Sequence, residues 1–194
     1  MQHFYKSLGG WFNYPRTMNY ALDRIPDDQF LFVEIGTFLG RSISYFVVES
    51  INRNKNGKIY AVDTFDGSSE HLDPSNPSYI KELVEDKDYL YNTYKENIKS
   101  IDSYITTIRS TSVEASQQFK DNSIDAIYLD AAHDYDSVLT DLNAWYPKMK
   151  QDNLIILGDD WTWETVRSAV VDFSKSNNLT VFLPEHNEYI ITRS

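Results

Sequence analysis

The 194-residue chain has no cysteine, which excludes disulfides and every metal site built on thiolate. No apolar run is long enough to span a bilayer, and the first residues lack the basic, apolar, small-residue order of a secretory signal. Residence in the cytoplasm is therefore the expectation. Basic side chains are few: 18 Lys and Arg against 29 Asp and Glu leave a formal charge of −11. A nucleic-acid backbone demands a basic surface, so that class of partner is argued against. Glycine is scarce too, with seven in all. They do not complete the Gly-x-Gly-x-x-Gly turn of dinucleotide sites, because Phe38 stands where its middle glycine belongs. What remains, 41% hydrophobic and 14% aromatic residues, is enough for one folded unit with a proper core.

The most telling stretch is Val33-Glu-Ile-Gly-Thr-Phe-Leu-Gly-Arg-Ser42. An apolar run delivers a carboxylate and two glycines into a turn, and Ser42 opens an amphipathic helix with Ile43, Phe46, Val47 and Ile51 at helical spacing. A helix N-terminus presents unpaired N–H groups and a partial positive charge, which favours an anionic ligand group. Strand-like and helical runs then alternate. Strands are predicted at 30–35, 58–63, 104–109, 124–129, 154–157, 180–183 and 189–192, with Asn56-Gly57 as a turn signal before the second. Helices are predicted at 42–52, 78–100 with a break near Lys87-Asp88, 112–119, 135–145 and 165–176. Residues 64–77 read as a polar loop. Continuous apolar strands alternating with helices predict an α/β, Rossmann-like, mostly parallel seven-stranded sheet with helices on both faces. The short join between the last two strands predicts a C-terminal antiparallel hairpin. Residues 30–194 form the predicted domain. Residues 1–29 are an extension whose aromatics either cap the ligand cleft or cover an edge of the core.

Carboxylates fall at the predicted carboxyl ends of four strands: Glu34, Asp63, Asp130, and the pair Asp159-Asp160. Ligands of parallel sheets sit there, so these groups should converge on one cleft. Asp63 either accepts hydrogen bonds from two ribose hydroxyls or closes an Asx turn on Phe65. Asp130, Asp159 and Asp160 suit a hard divalent cation such as Mg²⁺; alternatively Asp159 and Asp160 cap a helix starting near Trp161. His133, three residues past Asp130, is the side chain there that takes a proton near neutrality. It is also readable as a structural histidine or a metal ligand. A nearby cation would lower its pKa. Asp134 is expected to cap the following helix, and Glu185 and His186 lie in the last hairpin turn, within reach of a substrate.

On these residues the sequence resembles the class I S-adenosylmethionine-dependent methyltransferases. More narrowly it resembles the metal-dependent O-methyltransferases of the catechol type and those acting on the sugars of macrolides and aminocoumarins. The resemblance spans residues 30–194. Glu34-x-Gly36-Thr37-x-x-Gly40-x-Ser42 is similar to the motif whose turn and serine hold the methionine end of the cofactor. It implies that Asp63 binds the ribose, that Ser112 lies near the adenine, and that Asp130, Asp159 and Asp160 are metal ligands. Asp130-x-x-His133 is similar to an Asp-x-x-Lys element whose lysine is the general base, so His133 is the implied base. The implied reaction moves a methyl group from S-adenosylmethionine to a hydroxyl of a small molecule, with Mg²⁺ or a like cation. Two rivals stay open: a nicotinamide-dependent oxidoreductase, and a non-catalytic protein that binds the same nucleotide-like ligand.

Overall fold

A computed structural model describes residues 1–13 and 15–193. Helix α1 spans Pro15–Leu22, β1 Asp28–Ile35, α2 Arg41–Asn52, β2 Asn56–Asp63, α3 Ser69–Leu72, α4 Lys81–Glu85, α5 Tyr89–Asn97 and β3 Ile105–Arg109. There follow α6 Ser112–Ser116, β4 Ala126–Leu129, α7 Tyr135–Trp145, β5 Ile155–Gly158, α8 Glu164–Ser176, β6 Thr180–Phe182 and β7 Tyr189–Thr192. The seven strands form one sheet in the order β3-β2-β1-β4-β5-β7-β6. Six run in one direction, and β7 alone is reversed, antiparallel to both β5 and β6. The predicted sheet and terminal hairpin are therefore observed.

Alternation along β1 shows how the two faces are filled. Phe30 and Phe32 join Met18, Phe46 and Tyr94 of α1, α2 and α5. Val33 and Ile35 join Ala115, Trp145 and Phe173 of α6, α7 and α8 on the other face. Successive side chains of a strand point to opposite faces, so Glu34 shares the face of Phe30 and Phe32. A carboxyl thus stands where the pattern calls for a hydrophobe, fully buried beneath the start of α2.

The sequence misplaces some boundaries. Asn56-Gly57 lies inside β2 and not in a turn; the left-handed residue is Asn54, at φ 56°. Gly57 is needed there because a Cβ would come within 2.4 Å of the Phe30 ring. The predicted helix over 78–100 is two helices, α4 and α5, separated near the expected break. The polar loop contains α3. Asp134 caps α7, accepting the Ser137 N–H at 3.0 Å. The N-cap of α8 is Trp163, so neither Asp159 nor Asp160 serves as the helix cap considered above.

The N-terminal extension contributes residues both to the core and to the cavity wall. Tyr5 and Phe12 are buried in the core, while Gly9, Gly10 and Trp11 line the cavity described next. Tyr14, counted among the aromatics of this segment, lies outside the described residues.

Candidate active site

Ladder hydrogen bonds continue past the strand ends and hold four of them in register. Gly36 N donates to Val62 O at 2.9 Å, Asp130 N to Ile35 O at 2.8 Å, Asp159 N to Leu129 O at 3.4 Å, and Ser110 N to Asp63 O at 3.1 Å. Above this edge opens a cavity of about 650 Å³, a size suited to a small-molecule or cofactor site. Gly36, Thr37, Ser42, Asp63, Ser112, Asp130, His133, Asp159 and Asp160 all line it. Gly40, whose backbone starts α2, and Glu34 stand behind its wall.

Gly36 has a φ of 86°, and a Cβ on it would fall 1.9 Å from the Asp130 carbonyl oxygen. Only glycine fits, because the turn after β1 passes directly over the end of β4. Glu34 Oε1 accepts the Thr37 hydroxyl at 2.6 Å and the Ser42 hydroxyl at 2.9 Å, while Oε2 has no partner. Burial pushes this carboxyl up to about 8, against those two hydrogen bonds. Glu34 therefore braces the turn from inside, and the two hydroxyls keep lone pairs for the cavity.

Asp63 spans the glycine turn. Its Oδ2 accepts the Phe38 N–H and its Oδ1 the Phe65 N–H, both at 2.7 Å. The Asx turn is thus real, but it does not exhaust the group: each carboxylate oxygen takes two donors. Burial raises its pKa, and the backbone N–H groups oppose the rise. Ser112 is also held, accepting the Trp145 indole N–H at 2.9 Å.

The acidic cluster differs from the expected set. Asp130, His133 and Asp160 bring one donor atom each to within 4.8 Å of one another. Asp159 is not one of these three but lies beside them, engaged by two N–H donors. Its Oδ1 accepts the Asp160 N–H and the Asn187 amide N–H, both at 2.7 Å. Asn187 also reaches Asp160 Oδ1 at 3.3 Å, and Asp160 adopts a left-handed φ of 61°. The one Asn187 amide thus ties the two neighbouring carboxyls together. Burial, then the Asp159 and Asp160 carboxylates, raise Asp130 well above the ordinary aspartate range. Burial pushes Asp159 up to about 6. Carboxyls desolvated together in this way gain by sharing a cation.

His133 Nε2 lies 2.9 Å from Asp160 Oδ2, and Nδ1 lies 3.6 Å from Glu70 Oε1. The hydrogen bond to Asp160 raises its pKa, burial opposing. The carboxylates facing the ring set this direction.

Some cavity residues escaped the sequence reading. His71 stacks on Phe38 at 5.0 Å, and burial lowers its pKa. Trp11, Arg41, Glu70, Trp163 and Asn187 also line the cavity. The hairpin turn does supply a residue, but it is Asn187; Glu185 pairs with Arg16 at 3.3 Å and His186 is exposed.

A parallel sheet of this strand order with a reversed seventh strand, and a glycine turn facing an acidic strand end, define the class I S-adenosylmethionine-dependent methyltransferase fold. The chain belongs to that class: residues 33–161 match the family described as a methyltransferase domain. Solved structures of similar fold include the O-methyltransferase NovP, with a TM-score of 0.64 and 12% identity over 92% of this chain and 79% of that one. Another is the SAH-bound methyltransferase PaMTH1 of Podospora anserina, with a TM-score of 0.61 and 16% identity over 92% and 76%. A third is the precorrin-6y C5,15-methyltransferase of Geobacter metallireducens, with a TM-score of 0.63 and 16% identity over 97% and 94%. At these identities the likeness is one of fold. A curated relative, the uncharacterized protein y4gI of Sinorhizobium fredii, is 24% identical over 127 residues. That match covers 66% of this chain and 13% of the relative's length.

Proposed function

We propose that the protein transfers a methyl group from S-adenosylmethionine to a hydroxyl of a small molecule, with a divalent cation held beside the acceptor. One observation carries the reading. The glycine turn with Asp63 and the Asp130–His133–Asp160 group share one cavity, set side by side by the β1–β4 pairing. The same fold serves a protein named as a precorrin C-methyltransferase, so fold alone does not choose the acceptor atom. The oxygen-and-imidazole donor set does favour a chelating hydroxyl over a carbon.

In this reading Asp63 takes the ribose hydroxyls on its remaining lone pairs. Thr37 and Ser42, whose protons point inward to Glu34, receive the methionine ammonium, and Ser112 stands by the adenine. Asp130 and Asp160 fit a hard cation such as Mg²⁺, their carboxyls being close together and desolvated. Such an ion, when bound, lowers the pKa of an adjacent hydroxyl. His133 takes the acceptor's proton, for which it must first be neutral. The sulfonium is already a good leaving group, so positioning and deprotonation dominate the barrier.

A second reading of His133 is favoured by its donor nitrogen lying within the same 4.8 Å group: it would then be a ligand of the cation. The oxidoreductase rival is opposed by the family match; the non-catalytic rival is answered by turnover. The test is calorimetry with S-adenosylhomocysteine, followed by product detection on a panel of hydroxyl compounds with and without chelator. Binding of NADH in place of S-adenosylhomocysteine would end the proposal.

A further inference from the structure

Resting on that reading, we propose that the acceptor is a cation, carrying a protonated amine beside its reactive hydroxyl, and that Glu70 with the Trp11 and Trp163 faces selects it. Among the described residues lining the cavity, Arg41 is the only lysine or arginine. Its guanidinium is committed: Nε donates to Phe12 O at 3.1 Å, and Nη1 to Leu8 O at 3.1 Å and Gly10 O at 3.0 Å. Nη2 donates to Asn13 Oδ1 at 3.2 Å. The arginine straps residues 8–13 to the start of α2 and has no fork left for a phosphate or carboxylate. His71 is poorly placed to hold an anion: its Nδ1 accepts the Ser68 N–H at 3.1 Å, and burial lowers its pKa.

What could hold a cation is better provided for. A divalent ion between Asp130 and Asp160 would balance those two carboxylates; of the others lining the cavity, Asp63 and Asp159 are engaged by N–H donors, which leaves Glu70. The Glu70 side chain is 28% exposed, and its one salt-bridge contact among the described residues is His133. It therefore sits at the edge of the acceptor position with room for a donor. Two large aromatic faces stand open at the same rim. Trp11 is 63% exposed, its ring 6.1 Å from His71 and parallel to within 11°. Trp163 is 50% exposed, its ring 4.9 Å from His133. Indole faces attract ammonium groups through the ring quadrupole. Neither ring is needed to close the core, unlike the buried Trp145. The net charge of −11 adds a long-range field of the same sense.

Three probes sharing one ring and two adjacent hydroxyls separate charge from shape: dopamine as cation, 4-methylcatechol as neutral, 3,4-dihydroxyphenylacetate as anion. Each is titrated into the full chain with S-adenosylhomocysteine and Mg²⁺ present, and affinity is read by calorimetry without need of turnover. The expected order is cation, neutral, anion, with at least about tenfold between the ends, the scale of one desolvated cation–π or charged contact. Glu70→Gln should close most of that gap and Glu70→Lys should invert it, with S-adenosylhomocysteine affinity unchanged within about twofold in both. Trp163→Ala should weaken dopamine more than 4-methylcatechol. An anion bound as tightly as the cation, a gap that survives Glu70→Gln, or no binding of any probe overturns the proposal. Failure of S-adenosylhomocysteine itself to bind overturns the methyltransferase reading instead, and the acceptor proposal falls with it.

Discussion

Asp160 Oδ2 lies 2.9 Å from His133 Nε2, a contact between residues just beyond two neighbouring strands, β4 and β5. Asn187, from the hairpin turn, donates to both Asp159 and Asp160 and fixes the arrangement. The proposed proton acceptor and a proposed cation ligand are thereby held as one unit.

His133→Ala is expected to slow methyl transfer by on the order of 10²–10⁴, the usual worth of a positioned proton acceptor. Affinity for S-adenosylhomocysteine and for Mn²⁺ should stay within a few-fold. Single-turnover rates and metal titration check the two halves separately. A loss of metal affinity matching the loss of rate would make the histidine a ligand of the cation.

Asp160→Ala and Asp130→Ala should abolish divalent-cation binding, whereas Asp159→Asn should retain most of it. Asp159 keeps its acceptor oxygen in that variant and is engaged with Asn187 and the Asp160 backbone rather than with the cluster. Mn²⁺ binding followed by paramagnetic resonance reads this directly. Equal loss in all three variants would restore the all-aspartate set expected from the sequence.

Asp63→Ala should weaken S-adenosylhomocysteine by roughly 1.5–3 kcal/mol, the worth of lost charge-assisted hydrogen bonds. Because Asp63 also accepts the Phe38 and Phe65 N–H groups, the variant should melt earlier even without ligand. Calorimetry and thermal denaturation together separate these effects. A variant that loses stability but keeps full cofactor affinity would limit Asp63 to its turn.

Glu34 should make the protein less stable in alkali. Its folded pKa is raised to about 8 from an ordinary 4.5. Its contribution is therefore complete below pH 4.5 and is lost as pH rises toward and through 8. The loss is on the order of a few kcal/mol at most, at about 1.4 kcal/mol per pH unit. Glu34→Gln should flatten this part of the stability profile between pH 5 and 9. Urea denaturation of both proteins across that range is the check; parallel profiles would show the carboxyl ionised in the native state.

The mostly parallel sheet, its terminal hairpin and the gathering of carboxylates at strand ends were legible because they follow from local rules. Apolar runs, period-2 alternation and carboxylates at strand ends are all written in consecutive residues. The acceptor side was not. His71 and Glu70 lie in a segment with no periodicity, and their place depends on how residues 64–80 fold over the sheet. Arg41 resembles any surface arginine at a helix start until the carbonyls of residues 8–12 are seen to converge on it. Asn187 reaches Asp159 and Asp160 from the hairpin turn, a long-range contact that the Asp-Asp dipeptide does not announce. Gly57 misled for the opposite reason: it follows an asparagine, as turn glycines do, yet it is there to admit a phenylalanine ring.

The contact between Gly36 and the end of β4 bears on how such a protein changes its acceptor. A single methyl group on Gly36 would strike the Asp130 carbonyl, so no slack exists between the floor of the donor half and the floor of the acceptor half. Their spacing is set by main chain against main chain, as the span of a caliper is set by its frame. New acceptors must therefore be accommodated at the movable jaw, the segment bearing Glu70 and His71 and the hairpin turn bearing Asn187. Grafting those two loops between relatives should transfer acceptor preference while leaving the methyl-transfer distance where the sheet put it.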